Sequence, residues 1–113
     1  MKRVEVPSYP VSIFIAGDRE LAEGLCRAYC DEIGLCVTVS DTAYCYTGGR
    51  EAGVVVGLIN YGRFPSEPAG IFAKAEALAL RLIDGLAQET ATVQAPDKTV
   101  WISFRAQDNQ DLT

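Results

Sequence analysis

Val11, Ile13 and Ile15 recur at every second position with Ser12, Phe14 and Ala16 between them, which predicts a short strand, apolar on both faces and central in a sheet. Gly17-Asp18 ends the alternation, and Asp18 is of the type that caps a helix N-terminus. The apolar spacing then changes to three and four. Leu21, Leu25, Ala28 or Tyr29, and Ile33 mark the buried stripe of a helix over 19–33, with Glu23, Arg27 and Asp31 outside and Gly34 at the left-handed position past its end. Residues 35–40 predict a second strand, Asp41-Thr42 a bend, and 43–47 a resumption of pairing before the hairpin signal Gly48-Gly49. A third strand is expected over 52–60, where Gly53 and Gly57 indicate a bulge or a close approach of backbone. Residues 61–65 read as a loop. Ser66 as cap and Pro68 in the first turn open a second helix reaching Gln88, buried along Ile71, Ala75, Leu78, Leu82 and Leu86 and widened by Phe72, Ala79 and Ile83. Residues 90–94 and 99–104 are strand-like around a turn at 95–98. Residues 1–8 predict a loose arm and 106–113 a frayed tail.

This order of elements is that of the ferredoxin-like fold, an α+β two-layer sandwich (β-α-β-β-α-β, with or without an extra C-terminal strand). The 113 residues suffice for a single domain of this kind. Two helices then cover one face of the sheet. The first and third strands are expected parallel and adjacent in its middle, so that both helices start at the same end. The alternative is another two-layer α+β sandwich with a different strand order.

The segments 9–18, 34–39, 46–49 and 57–61 resemble small phage- and prophage-encoded proteins of unknown function, a likeness that covers most of the chain and implies no activity. Ala16-Gly17-Asp18 before a helix, followed by Leu35-Cys36-Val37-Thr38 and a long hairpin, is similar in layout to the divalent-cation tolerance (CutA) proteins. Those are trimeric ferredoxin-like proteins related in shape to the PII signalling proteins. Their Trp-Glu-Gly after the hairpin aromatics is Thr47-Gly48-Gly49 here, so the likeness implies fold and self-association only.

Ten Lys+Arg against fifteen Asp+Glu give a net charge of −5, and 49% of residues are hydrophobic. The chain is too apolar to be disordered and too acidic to work by neutralising phosphates. Ile13–Gly17 resembles the first-strand motif of an RRM, but the third strand offers Val54, Val55 and Val56 where such modules stack bases on aromatics. Phe14 is therefore read as core, and no nucleic-acid partner is expected. The sequence contains no histidine, which excludes imidazole bases, Ser-His or Cys-His nucleophiles and His-containing metal sites. Cys26, Cys30, Cys36 and Cys45 match no zinc spacing and read as reduced, buried, small apolar side chains. No secretory h-region or membrane-spanning run is apparent, so a cytoplasmic protein without a membrane partner is expected. No metal or cofactor is implied.

Three groups of residues stand out. Gly17 and Arg19, with Asn60, Tyr61, Arg63 and Ser66, would meet at the end of the sheet where both helices start, a place suited to a small anion. The plainer reading is that Asp18 and Ser66 cap their own helices and Arg63 pairs with Asp18. Tyr44 and Tyr46 share a face of the hairpin, with Trp101 near them, and fit a subunit interface better than a ligand platform. Carboxylates are scattered singly, and neither a phosphate loop nor a nucleophile elbow is present. The expected function is a non-enzymatic, phage-derived accessory factor acting through protein–protein contacts. The alternative is a small-anion or nucleotide-binding regulatory module at the paired helix N-termini. An apolar open sheet face predicts a homo-oligomer, with a dimer slightly preferred over a trimer.

Overall fold

Apolar spacing and secondary structure agree in order: β1 (Val11–Ala16), α1 (Arg19–Ile33), β2 (Thr38–Tyr46), β3 (Gly49–Leu58), α2 (Pro68–Gly85), β4 (Thr90–Gln94) and β5 (Thr99–Ser103). They are seen in a computed structural model that describes residues 1–110. The strands form one antiparallel sheet in the order β2-β3-β1-β4-β5. Both helices lie against the same side of it, α1 over β2 and β3 and α2 over β1 and β4. This is the α+β ferredoxin-like sandwich, with the C-terminal segment supplying a fifth strand.

The core lies between helices and sheet. Val11, Ile13 and Ile15 of β1, Val54, Val56 and Leu58 of β3, and Ala91 and Val93 of β4 point into it and meet Ile71, Phe72, Ala75, Leu78, Ala79, Leu82 and Ile83 of α2. Leu78 and Leu82 are fully buried, and truncating either to alanine should cost about 2–5 kcal/mol. The Tyr29 hydroxyl ties the helices together by donating to the Lys74 carbonyl at 3.1 Å.

Several expectations are corrected. β1 and β3 are adjacent but antiparallel, with Val11 opposite Leu58 and Ala16 opposite Gly53. The α1 crossover brings β2 back in the direction of β1, and the tight hairpin must then reverse β3. The helices consequently start at opposite ends of the sheet. On α1 the buried residues are Ala22, Cys26 and Tyr29, whereas Leu21 and Ile33 are exposed. That face lies one residue round from the predicted stripe, where small Ala22 allows close approach and Tyr29 reaches α2. No bend interrupts β2, because Asp41 stands at the open sheet edge and its carboxylate meets Arg19 at 3.6 Å. Glu67, without a side-chain bond, occupies the N-cap of α2, and the helix ends at Gly85 rather than Gln88. Only Cys26 is buried; Cys30 is half-buried, and Cys36 and Cys45 are exposed. The tail forms a 3-10 turn over Ala106–Asp108, while residues 111–113 lie outside the described residues. The N-terminal arm has no regular structure, but Asn60 donates to the Pro7 carbonyl at 2.9 Å and Tyr9 donates to Asp97 at 2.7 Å.

The second sheet face is also different from expectation. Its central row runs Ser40, Val55, Phe14, Thr92, Trp101 across all five strands, and the row beside it runs Thr38, Gly57, Ser12, Gln94, Thr99. Hydroxyl and amide groups therefore alternate with a few apolar side chains. On this face β1 presents Ser12, Phe14 and Ala16, and β3 presents Val55 between Gly53 and Gly57, so polar and apolar positions share it.

Candidate functional site

The predicted anion site is split by strand direction. Gly17 and Arg19 lie at the end of β1, whereas Asn60, Tyr61, Arg63 and Ser66 follow β3 and lie at the opposite end of the sheet. Each half is occupied locally. Asp18 accepts from the Leu21 amide at 2.9 Å, and Arg19 faces Glu23 and Asp41. Asn60 accepts from the Ser66 amide at 2.9 Å, and the Tyr61 and Phe64 rings sit 5.1 Å apart. Arg63 is exposed at that far end, remote from Asp18, so the pairing suggested for those two residues is also corrected.

The aromatic trio is split as well. Tyr44 and Tyr46 do share the open face, but Trp101 is on β5, with β3, β1 and β4 in between. What Tyr44 and Tyr46 do line is a cleft of about 620 Å³, a volume in the range of small-molecule sites. Register explains it. β1 stops at Ala16 opposite Gly53, but β2 and β3 continue through the pairs Ala43–Ala52, Tyr44–Glu51, Cys45–Arg50 and Tyr46–Gly49. A two-stranded arm thus projects past the end of β1 and leaves a notch between itself and β4. Phe14 and Ala16 form the floor, Tyr44, Tyr46 and Glu51 the hairpin wall, and residues 87–92 with Arg105 the other wall.

Local structure fixes each wall. Gly17 has φ 138°, and a Cβ there would meet Leu86 side-chain atoms at 3.1–3.3 Å, so a glycine lets the chain leave β1 beneath the end of α2. Ala87 then adopts φ 54°, an uncommon left-handed conformation for a non-glycine residue, and turns residues 87–89 along the rim. The Phe104 amide donates to the Glu89 carbonyl at 2.8 Å, and Arg105 Nε stands 3.6 Å from Glu89 Oε2. On the hairpin, Tyr44 donates to the Val54 carbonyl at 2.6 Å and Tyr46 to the Glu51 carboxylate at 2.9 Å. Burial pushes the Tyr44 phenol up, and the bond to Glu51 pushes the Tyr46 phenol up, so both are neutral donors at neutral pH.

Glu51, Glu89 and Arg105 are the charged residues that line the cleft. Sequence reasoning found the two tyrosines but missed these three and assigned Phe14 to the core. The hairpin turns at Thr47-Gly48, one residue before the predicted Gly48-Gly49, and that register places Glu51 opposite Tyr44 rather than Tyr46. Glu89 and Arg105 meet only through the β4–β5 register, which no local signal specifies. Among the described residues, no group of three or more His, Cys, Asp or Glu is placed to hold a metal, and no helix is long and apolar enough to cross a membrane.

No protein-family model and no curated protein matches the chain. Two solved structures do. A phage SAM lyase in its apo state superposes with a TM-score of 0.74 at 16% identity, over 91% of this chain and 94% of that one. A phage SAM lyase in complex with S-methyl-5′-thioadenosine superposes with a TM-score of 0.61 at 15% identity, over 91% of this chain and 95% of that one. At these identities the likeness is one of fold. It agrees with the resemblance to phage proteins, and neither match is a CutA or PII protein. Both matched chains are enzymes, which overturns the expectation of a non-enzymatic factor working through protein contacts. The helix-terminus module offered as the alternative is overturned by the strand directions.

Proposed function

We propose that this chain is an enzyme that binds S-adenosylmethionine (SAM), or a close relative, in the notch beside the β2–β3 arm and cleaves it to S-methyl-5′-thioadenosine (MTA). The observation that carries this reading is the fold shared over 91% of the chain with two phage SAM lyases, together with a cleft of suitable size on that fold. The chemistry suits the residues present. Forming MTA from SAM breaks the bond between sulfur and Cγ of the amino-acid part, and the electron pair stays on sulfur. A sulfonium becomes a neutral thioether. When the substrate's own carboxylate oxygen forms the new bond to Cγ, the second product is a lactone and no proton has to move. A chain without histidine can support such a step by orientation and desolvation. Tyr44 and Tyr46 supply aromatic surface for a sulfonium or an adenine, and Glu51 supplies the opposite charge.

The test is direct. Purified protein is incubated with SAM, and MTA is followed by liquid chromatography and mass spectrometry, with binding of MTA measured by calorimetry. Time-dependent MTA above the spontaneous background is expected. A protein that neither produces nor binds MTA overturns the proposal.

A further inference from the structure

Charge in the cleft is arranged in two parts. Glu51 stands alone on the hairpin wall, whereas Glu89 and Arg105 stand together on the opposite wall. A SAM-type molecule has the inverse pattern: a lone sulfonium at one point, and an ammonium and a carboxylate together on one carbon. Building on the reading of the cleft given above, we propose that the Glu89–Arg105 pair is the subsite for the α-amino-acid end of the substrate, Arg105 taking the carboxylate and Glu89 the ammonium.

The geometry of the pair suits an exchangeable recognition element. Arg105 comes closest to Glu89 through Nε, at 3.6 Å, and among the described residues neither terminal nitrogen makes a hydrogen bond. Its fork is thus available for a carboxylate in the bidentate manner that guanidinium favours. The backbone, rather than the ion pair, holds the two residues in place. The Arg105 amide donates to Ser103 Oγ at 3.2 Å, and its carbonyl accepts from the Asn109 side chain at 2.7 Å and from the Asp108 amide at 3.1 Å. Phe104 bonds to the Glu89 carbonyl and keeps the two segments side by side. Both side chains remain partly exposed, at 44% and 67%, so a ligand replaces water on them and not a buried structural partner. Such a surface pair contributes little to folding, and its removal leaves a folded protein to measure.

The experiment compares three probes, SAM, MTA and decarboxylated SAM, on the unmodified protein and on Arg105→Gln, Arg105→Lys and Glu89→Gln. MTA lacks the amino-acid end altogether, and decarboxylated SAM lacks the carboxylate alone. For Arg105→Gln the expected result is a KM for SAM raised roughly tenfold with MTA affinity unchanged, and a partial return in Arg105→Lys. The unmodified protein is expected to prefer SAM over decarboxylated SAM in calorimetry, a preference that Arg105→Gln abolishes. Glu89→Gln should weaken both amine-bearing ligands and leave MTA alone. If the protein cleaves SAM but Arg105→Gln changes neither KM nor preference, the subsite is wrong. Equal loss of MTA and SAM by Arg105→Gln also overturns it, since the residue would then be shaping the whole cleft. An unmodified protein that shows no activity on SAM and no affinity for MTA overturns instead the assignment of the cleft itself.

Discussion

The ring of Tyr44 fills the space that a side chain on Gly53 would take. A Cβ there would press into the ring and lie 2.6 Å from the Ile15 carbonyl oxygen, which cannot move without bending β1. The bare α-carbon is what lets the Tyr44 hydroxyl reach the Val54 carbonyl and form one wall of the cleft. Gly53→Ala should therefore cost about 1–3 kcal/mol of stability, read from thermal or urea unfolding, and should also weaken MTA binding. Tyr44→Phe, which removes only the hydroxyl bond, should cost about 0.5–1.5 kcal/mol and leave the ring in place.

On the proposed reading of the cleft, Glu51 would separate charge recognition from shape recognition. Replacing it by Gln keeps the Tyr46 bond geometrically feasible but removes the negative charge from the hairpin wall. SAM binding should weaken several-fold while binding of uncharged MTA stays near its original value, both measured by calorimetry. Equal effects on the two ligands would mean that Glu51 acts through the position of Tyr46.

The thiols should titrate in order of burial. Cys36 and Cys45 are exposed and should react promptly with an aromatic disulfide reagent at pH 8, with Cys30 slower. Burial pushes the Cys26 thiol up to about 11, so it should remain protonated and unreactive until the protein unfolds. Two fast equivalents in the native protein and four in denaturant are expected.

Acid should weaken the α1–α2 contact in a defined way. The Arg81 guanidinium bonds both oxygens of Glu32, one at 2.9 Å, and lies 4.8 Å from the centre of the Tyr29 ring. This bond holds the Glu32 carboxyl below its ordinary 4.5. A depressed folded-state value means that the stabilisation is complete above the unfolded value and is lost as pH falls through the folded one. Glu32→Gln should lower Tm at neutral pH, and the difference from the unmodified protein should vanish once pH falls below the folded-state value.

We propose that the chain self-associates through the open sheet face. The open face keeps Phe14, Val55 and a half-exposed Trp101 in one row, and the projecting arm has only two strands where sheets gain stability from a third. Light scattering on a sizing column should give a mass above 12.2 kDa at micromolar concentration. A monomer mass throughout that range sinks the proposal.

The elements were legible because their signals are local. Asp18 caps α1, Gly34 ends it at φ 73°, and the long apolar face of α2 is buried at every residue the spacing marked. The site was not, because it depends on direction and register. Reading β1 and β3 as parallel joined Gly17 and Arg19 to Arg63 at one end of the sheet, whereas their antiparallel pairing puts these residues at opposite ends. Tyr44 and Tyr46 are legible as aromatics two apart, but Trp101, expected near them, lies four strands away on β5. The charge that does stand opposite Tyr44 is Glu51, across a turn that lies one residue before the glycine pair that signals it.

The two walls of the notch also differ in how far the chain must travel to build them. Tyr44, Tyr46 and Glu51 come together around a turn at Thr47 and Gly48, a closure that needs nothing beyond the hairpin. Glu89 and Arg105 reach their places only when β4 pairs with β1, Thr92 meeting Phe14 across both helices and the hairpin. The first closure costs less loop entropy than the second, so the hairpin wall is expected to form before the opposite wall. A ligand spanning the notch would fasten the late wall to the early one. Its binding should slow hydrogen exchange in β4 and β5 more than in β2, making occupancy of the cleft a clasp on the last part of the chain to fold.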